Sequence, residues 1–239
     1  MDKLVEGLKQ IGIDEKINCN TKNVYVDDIN NNNMEDICSK IEKYINEIIL
    51  FNSAYNLTNT SDHDELVVRH ILDSLSTYKI ISSLIEKSGK TEEQVKVADI
   101  GSGGGLPGIP LAAVFSDIHF DLIERMSKRC AFLENSVAIL NLKNVTVINS
   151  QVEQIPTNTF HVATFRAFRP LDKKMIKTLL RVIKPAGFLA AYKGKTEAIN
   201  TEMEAIADIV PKYATYPLTV PFLEERQRHL VVIQKYNQM

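Results

Sequence analysis

The stretch ADIGSGGGLPGIP, residues 98–110, decides the fold. VKVADI (95–100) ahead of it reads as a strand, and LAAVF (111–115) after it begins a helical pattern. A glycine run between a strand and a helix opens the unit on which α/β sheets hold nucleotide-like ligands. Taken literally, G-x-G-x-x-G matches at Gly103, Gly105 and Gly108, the dinucleotide pattern. That fingerprint, however, starts where the strand ends, at Gly101, and counted from there Leu106 takes the third glycine's place. Pro107 and Pro110 each remove an N–H donor from the turn that would grip a pyrophosphate. The loop is therefore built for close backbone approach by a nucleoside that carries no phosphate.

Working outward, HFDLIE (119–124), VTVINS (145–150), HVATFRAF (161–168) and GFLAAYKG (187–194) read as strands. Helical patterns over 126–142, 171–183 and 196–210 lie between or after them. The spacing predicts an α/β, Rossmann-like fold with a mostly parallel seven-stranded sheet and helices on both faces. YATYPLTVPF (213–222) and RHLVVIQKY (228–236) have no helix between them and are expected to form an antiparallel edge pair. Upstream, helices are expected over about 2–11 and 34–52, the second with Ile37, Ile41, Ile45 and Ile48 at helical spacing. DDINNNNMED (27–36) reads as a loop between them. Ser61 and Asp62 are N-cap candidates for DELVVRHILDSL. The chain thus divides into an N-terminal helical extension, 1–90, and an α/β ligand-binding domain, 91–239.

Three unevenly spaced cysteines, Cys19, Cys38 and Cys130, fit a reducing compartment rather than a disulfide or zinc framework. No apolar run reaches the roughly 18 residues a membrane span needs, and the N-terminus lacks the pattern of a secretion signal. The formal net charge of −2 gives no sign of a nucleic-acid partner, but its distribution does. Residues 161–195 hold nine Lys and Arg against Asp172 alone, a local balance of +8. Residues 1–70 hold seven bases against thirteen acids, a balance of −6. Such asymmetry focuses an anionic partner on one face, although a charge run can equally be a solvated helix.

The pattern hydrophobic-Asp-x-Gly-x-Gly-x-Gly, here Asp99, Gly101, Gly103 and Gly105, is the first motif of class I methyltransferases, whose cofactor is S-adenosyl-L-methionine (SAM). Glu124 ends the next strand, 23 residues after Gly101, where a carboxylate can accept both ribose hydroxyls. Val152 and Glu153 follow the third strand, where an adenine would lie.

The segments AYNLTN, VRHILDSL, DIGSGGGLPGIPLA, HFDLIERMSKRCAFL, FRAF, YKG and RHLVVI occur in this order. Over about residues 36–235 the chain thereby resembles the bacterial glucose-inhibited division protein B family, small-subunit ribosomal RNA guanine-N7 methyltransferases. The 17–34 stretch departs from the family's compact helical start and reads as an insertion. The resemblance implies a SAM pocket lined by Gly101 and Leu106, with Val152 and Glu153 flanking the adenine. It puts Arg166 at the methyl-donor mouth as the catalytic residue; because the sulfonium of SAM is cationic, an Arg beside it needs a compensating anion, expected to be the methionine carboxylate of SAM or an RNA phosphate. It also brings Asn56, Arg69, His70 and Asp73 to the active face, unless Arg69 and Asp73 are simply an i,i+4 pair.

Residue types agree with that chemistry. Methylation of an exocyclic amine relies on an Asp/Asn-Pro-Pro-aromatic turn after the fourth strand, where this chain has FRAFRP (165–170). Methylation of a pyrimidine carbon needs a nucleophilic cysteine, and Cys130 lies within a helix pattern as a core residue would. Guanine N7 is a lone-pair nucleophile and loses no proton, so alignment supplies much of the acceleration. Arg166, Arg169, Lys193 and Arg228 are candidates for the guanine edge. His229 is read as an edge-strand residue rather than a catalytic one. Lys173, Lys174, Lys177 and Arg181 are candidates for clamping phosphates of 16S rRNA in the small ribosomal subunit. The expectation is a cytoplasmic monomer that uses no metal and no membrane. The alternatives are a small-molecule SAM-dependent methyltransferase, a non-enzymatic ribosome-binding module and, last, a NAD-dependent oxidoreductase.

Overall fold

The computed structural model describes residues 2–13, 31–88, 94–166 and 171–236. Its centre is a seven-stranded sheet: β1 (Lys96–Ile100), β2 (His119–Glu124), β3 (Val145–Asn149), β4 (Phe160–Phe165), β5 (Ile183–Lys193), β6 (Ala214–Pro217) and β7 (His229–Gln234). The spatial order is β3-β2-β1-β4-β5-β7-β6. β1 to β5 are mutually parallel. β7 runs antiparallel between β5 and β6, so the last two strands pair as expected and β7 also ties the pair to the parallel sheet. The chain winds from β1 outward to β3, then restarts on β1's other side with β4. Such a reversal opens a crevice at the strands' C-terminal ends.

Helices α1 (Asp2–Ile11), α2 (Asn31–Tyr55), α3 (His63–Leu66), a π-helical turn (Val67–Leu72), α4 (Asp73–Leu75) and α5 (Tyr78–Ser88) come from the N-terminal third. α6 (Gly108–Val114), α7 (Ser127–Ile139), α8 (Lys173–Val182) and α9 (Thr196–Ala205) alternate with strands. Side chains alternate across each strand, so successive residues enter opposite cores. Val97, Phe188 and Ala190 join the core that contains Leu8, Ile41, Ile45 and Leu75 of the N-terminal helices. Ala98, Ile100, Leu189 and Ala191 join the core under α8 and α9, with Ile176, Leu179 and Ile199. The described N-terminal helices thus pack, with α6 and α7, on one face of the sheet and share its core; the boundary placed at 90/91 falls in 89–93, outside the described residues.

Of the loop expected over 27–36, residues 31–36 belong to α2, which begins at Asn31, and 27–30 lie outside the described residues. Asn is a poor helix former, but the buried stripe Ile37, Ile41, Ile45 and Ile48 carries the helix and overrides propensity at its first turn. Most of the 17–34 insertion lies outside the described residues. Asp62 is the N-cap of α3, its carboxylate accepting the Glu65 N–H at 2.8 Å. No helix among the described residues is long and apolar enough to cross a membrane.

Close packing sets a limit at the glycine loop. A Cβ on Gly108 would stand 2.4 Å from Leu122 Cδ2 and 2.7 Å from Asp99 Oδ2, whereas one on Gly194 would meet no heavy atom within 4 Å. Gly108→Ala is therefore expected to cost about 1–3 kcal/mol in a denaturant titration. Gly194→Ala should leave the midpoint nearly unchanged; equal effects would show that Gly108 is not under packing constraint.

Candidate active site

A cleft of about 390 Å³ opens at the C-terminal ends of β1 and β2, bordered by Gly101, Glu124, Arg129, Val152, Glu153 and Met175. Gly101, Gly103 and Gly105 have φ of 71°, 57° and 92°, the left-handed region open mainly to glycine. The loop's amides turn inward. Gly101 and Ser102 N–H donate to Ile123 O, and Gly105 and Leu106 N–H to Ser102 O. Gly103 N–H donates to Glu124 Oε2 at 3.0 Å, and Gly108 N–H to Asp99 Oδ2 at 3.0 Å. With Pro107 and Pro110 carrying no N–H, the first turn of α6 presents no cradle of free donors to a phosphate.

Glu124 is 5% exposed and bridges two backbone segments, since Met126 N–H donates to its Oε1 at 2.8 Å. It lines the cleft while anchoring the loop, and its oxygens retain lone pairs for further donors. Asp99 lies beneath the loop, on the face toward α2, and does not border the cleft. Burial pushes its carboxyl up to about 6, against the opposing Gly108 N–H bond. Leu106 likewise packs into the core with the N-terminal helices. Both residues support the loop from that side.

The N-terminal helices reach the loop from the other side. Tyr44 Oη donates to Gly104 O, and a Cβ on Gly104 would stand 3.3 Å from Leu57 Cβ. Asn52 shapes the 56–61 turn, its Oδ1 accepting Leu57 and Thr58 N–H at 2.9 Å each. Arg129, in the first turn of α7, donates from Nη2 to Asn56 O at 3.5 Å and lies beside Gly103. Sequence reasoning missed Arg129 and Tyr44. SKRCAFL and the α2 stripe mark them only as helix residues, and their meeting at the loop is tertiary.

Beside this loop stands a buried ion cluster. Asp73, 5% exposed, accepts Arg166 Nη1 on Oδ2 at 2.9 Å and Arg228 Nε on Oδ1 at 2.8 Å. Arg166 follows β4, and its Nη1 also points to the carbonyls of Arg69 and His70 in the π-helical turn, at 3.5 and 3.4 Å. The anion that compensates Arg166 in this structure is thus Asp73, where the sequence reading expected a ligand carboxylate or an RNA phosphate. Arg166 Nη2 meets His70 Nδ1 at 3.1 Å. Because Arg can only donate, His70 Nδ1 must accept and its proton lies on Nε2. Desolvation, then the Arg166 charge, lowers the His70 pKa to about 4. The ring is neutral near pH 7, with its lone pair already committed.

The remaining expected contacts separate. Arg69 pairs with Glu65 at 3.0 Å, so the i,i+4 partner is Glu65 and not Asp73. Lys193 pairs with Glu202 and lies over the Phe165 ring, 5.7 Å from its centroid. Lys173 pairs with Asp208 at 2.8 Å on the surface, and Lys174 is exposed. Arg181 donates to Val152 O and Glu153 O, behind the cleft. The basic run is therefore spread over several neighbourhoods rather than gathered at the cleft. Arg169 lies outside the described residues. Cys130 is buried, its Sγ against Glu124 O at 3.2 Å and its thiol pushed up by desolvation. His229 Nδ1 meets Gly194 O at 2.6 Å, the contact of an edge-strand residue. Among the described residues no group of three His, Cys, Asp or Glu is placed to hold a metal.

Comparison with known proteins adds an independent line. A family model described as rRNA small subunit methyltransferase G, GidB, matches residues 37–231. The chain is 39% identical to the ribosomal RNA small subunit methyltransferase G of Treponema denticola, over 97% of this chain and 93% of that protein. It is 35% identical to the protein of that name from Hydrogenovibrio crunogenus, over 82% and 85%. Among solved structures it is similar to a human methyltransferase 10 domain containing protein (TM-score 0.55, 13% identity, 82% of this chain and 98% of that one). It is also similar to the tRNA (m1A58) methyltransferase TrmI of Aquifex aeolicus (TM-score 0.51, 17% identity, 70% and 69%). At those identities the structural likeness concerns the fold alone.

The buried Asp99 gives a pH signature. Its folded pKa, about 6, stands above the ordinary 3.8, so the folded state binds this proton more tightly than the unfolded chain. This group's contribution to stability falls as pH rises from about 4 to about 6, by on the order of 3 kcal/mol. Asp99→Asn keeps an oxygen for the Gly108 N–H and removes the titration. The difference in unfolding free energy between variant and wild type should grow in the variant's favour across that window; a difference independent of pH would contradict the burial described.

Proposed function

This chain belongs to the GidB family, rRNA small subunit methyltransferase G, and on that premise we propose that it methylates N7 of a guanine in 16S rRNA of the small ribosomal subunit. Its cofactor is SAM. The observation that carries the reading is the inward turn of the glycine-loop amides above a cleft-lining carboxylate, Glu124. Such a site disfavours phosphate and accepts hydroxyl donors, as a nucleoside with a cationic tail requires.

Glu124 would accept the ribose hydroxyls, Gly101 would allow close approach, and Val152, Glu153 and Met175 would border the adenine. SAM supplies an electrophilic methyl group. The protein's own work is then to orient the acceptor. Guanine N7 needs no base to remove a proton, and His70, the titratable ring beside the ion cluster, has no lone pair to offer one. Cys130, buried and protonated, is not placed for covalent attack on a pyrimidine. Arg228 keeps its Nη2 unbonded among the described residues, a donor suited to the O6 and N7 acceptors of guanine. Arg69, His70, Arg169 and Lys193 would complete the substrate side, and Lys173 and Lys174 would meet RNA phosphates nearer α8. The substrate puts the protein in the cytoplasm. Methyl transfer from labelled SAM to small subunits tests the reading; transfer to free metabolites and not to rRNA would favour a small-molecule enzyme.

Arg166 is proposed as the positioning residue of the mouth, since it fixes Asp73, His70 and the π-helical turn together. Arg166→Ala should lower kcat on small subunits by about a hundredfold, with the KM for RNA little changed. Arg166→Lys can reach Asp73 but cannot also bond His70 Nδ1, so it should restore little. Near-normal kcat in Arg166→Ala would remove it from the site.

Glu124→Gln sets an amide N–H₂ against either the Gly103 or the Met126 N–H and loses the charge. SAM binding measured by calorimetry should weaken by about 1.5–3 kcal/mol, while RNA binding stays intact. A loss of RNA affinity alone would misplace this residue.

A further inference from the structure

A second cleft, about 1030 Å³, lies at the opposite edge of the sheet, between the end of α8, the 206–212 turn and the end of β7. The six-residue β4 separates that edge from the mouth by about 20 Å. Leu180, Ile209 and Ile233 form its apolar floor, and Lys177, Arg181, Lys212 and Lys235 stand around it. Asp208 is the one acid in the lining, and it is already paired with Lys173. Lys177 and Lys212 have no hydrogen bond or ion pair among the described residues and are exposed. Lys235 is held in place, donating to Asn158 Oδ1 and Ile183 O at 2.8 Å each. Tyr236 lines the cleft with 54% of its surface exposed, and Tyr213, next to Lys212 in the chain, is 43% exposed. In a chain of net charge −2, four bases beside the exposed ring of Tyr236 on one groove are a marked local concentration.

We infer that this groove docks an unpaired strand of the ribosomal RNA substrate, away from the methylated base. A groove that tracks phosphates with fixed and mobile cations, and offers rings on which bases stack, is what a single strand needs. Lys177 and Lys212 supply mobile charge, Lys235 and Arg181 fixed charge, and Tyr236 the stacking face. The inference rests on the reading that the substrate is rRNA, which is long enough to reach both edges. Arg181 joins the two regions, because its other contacts are the carbonyls of Val152 and Glu153 behind the first cleft.

The test uses the full chain, small ribosomal subunits and a short labelled oligouridylate. Lys177→Gln with Lys212→Gln should raise the KM for subunits several-fold and leave kcat and SAM affinity unchanged. It should also reduce the log–log salt slope of oligouridylate binding by about 1.4, at ~0.7 per phosphate contact on a single strand. Tyr236→Ala should weaken oligouridylate binding about tenfold, and Tyr236→Phe, which keeps the ring, should restore it. These residues are exposed, and an unchanged thermal midpoint verifies folding; should the double variant unfold, the Tyr236 pair decides alone. Wild-type protein active on subunits, with variants unchanged in KM, slope and oligouridylate affinity, overturns this inference and leaves the proposed function standing. Wild-type protein that methylates no rRNA overturns both.

Discussion

One carboxylate holds three distant parts of this chain in register. Asp73 comes from the N-terminal helices, Arg166 from the end of β4 and Arg228 from the start of β7, and both guanidiniums close on it within 2.9 Å. Burying one charge unpaired would cost several kcal/mol, and a single ion pair would barely recover the desolvation of its members. Two cations on one anion leave a net positive charge, which the lone pair of His70 and the carbonyls of the π-helical turn help to solvate. π-Helical turns are rare and concentrate at functional sites. Here the turn aims two main-chain carbonyls at the guanidinium that sits at the sheet's ligand edge.

From this follows the protonation state of the neighbouring ring. Arg166 fixes His70 as an acceptor at Nδ1, and its charge, with desolvation, keeps the imidazole neutral. A site of that kind is cationic and rigid but not basic. It can orient an acceptor that is already nucleophilic and is poorly suited to one that must first be deprotonated. The glycine loop is held in the same spirit, by Asp99, Tyr44 and Leu57 on the side of the N-terminal helices and by Glu124 at the cleft.

Much of this was legible in the sequence, and the limits have physical causes. β1 and β2 follow directly from their apolar runs, and Asp62 from its capping chemistry, because these depend on neighbours along the chain. Glu124 was legible as a strand-end carboxylate at the loop. Asp99 was not legible as a support under the loop, because its partner, the Gly108 N–H, is brought to it only by the turn. The partner of Arg166 was hidden for a stronger reason. Asp73 lies 93 residues upstream, and nothing local distinguishes it from a surface acid one turn after Arg69.

Charge composition was the least transferable signal. The +8 segment looked like one basic surface, yet folding divides it: Arg166 goes into the ion cluster, Lys193 to Glu202, Lys173 to Asp208 and Arg181 to two carbonyls. What remains outward on α8 meets Lys212 and Lys235, contributed by segments outside the run. A linear charge count cannot anticipate this, because an α-helix presents successive residues in different directions and a sheet brings remote strands together. The positive surface that results is assembled by β7 returning antiparallel beside β5, the same strand that delivers Arg228 to Asp73 at its other end. One edge strand thus links the interior charge that organises the mouth to the exterior charge around the far cleft.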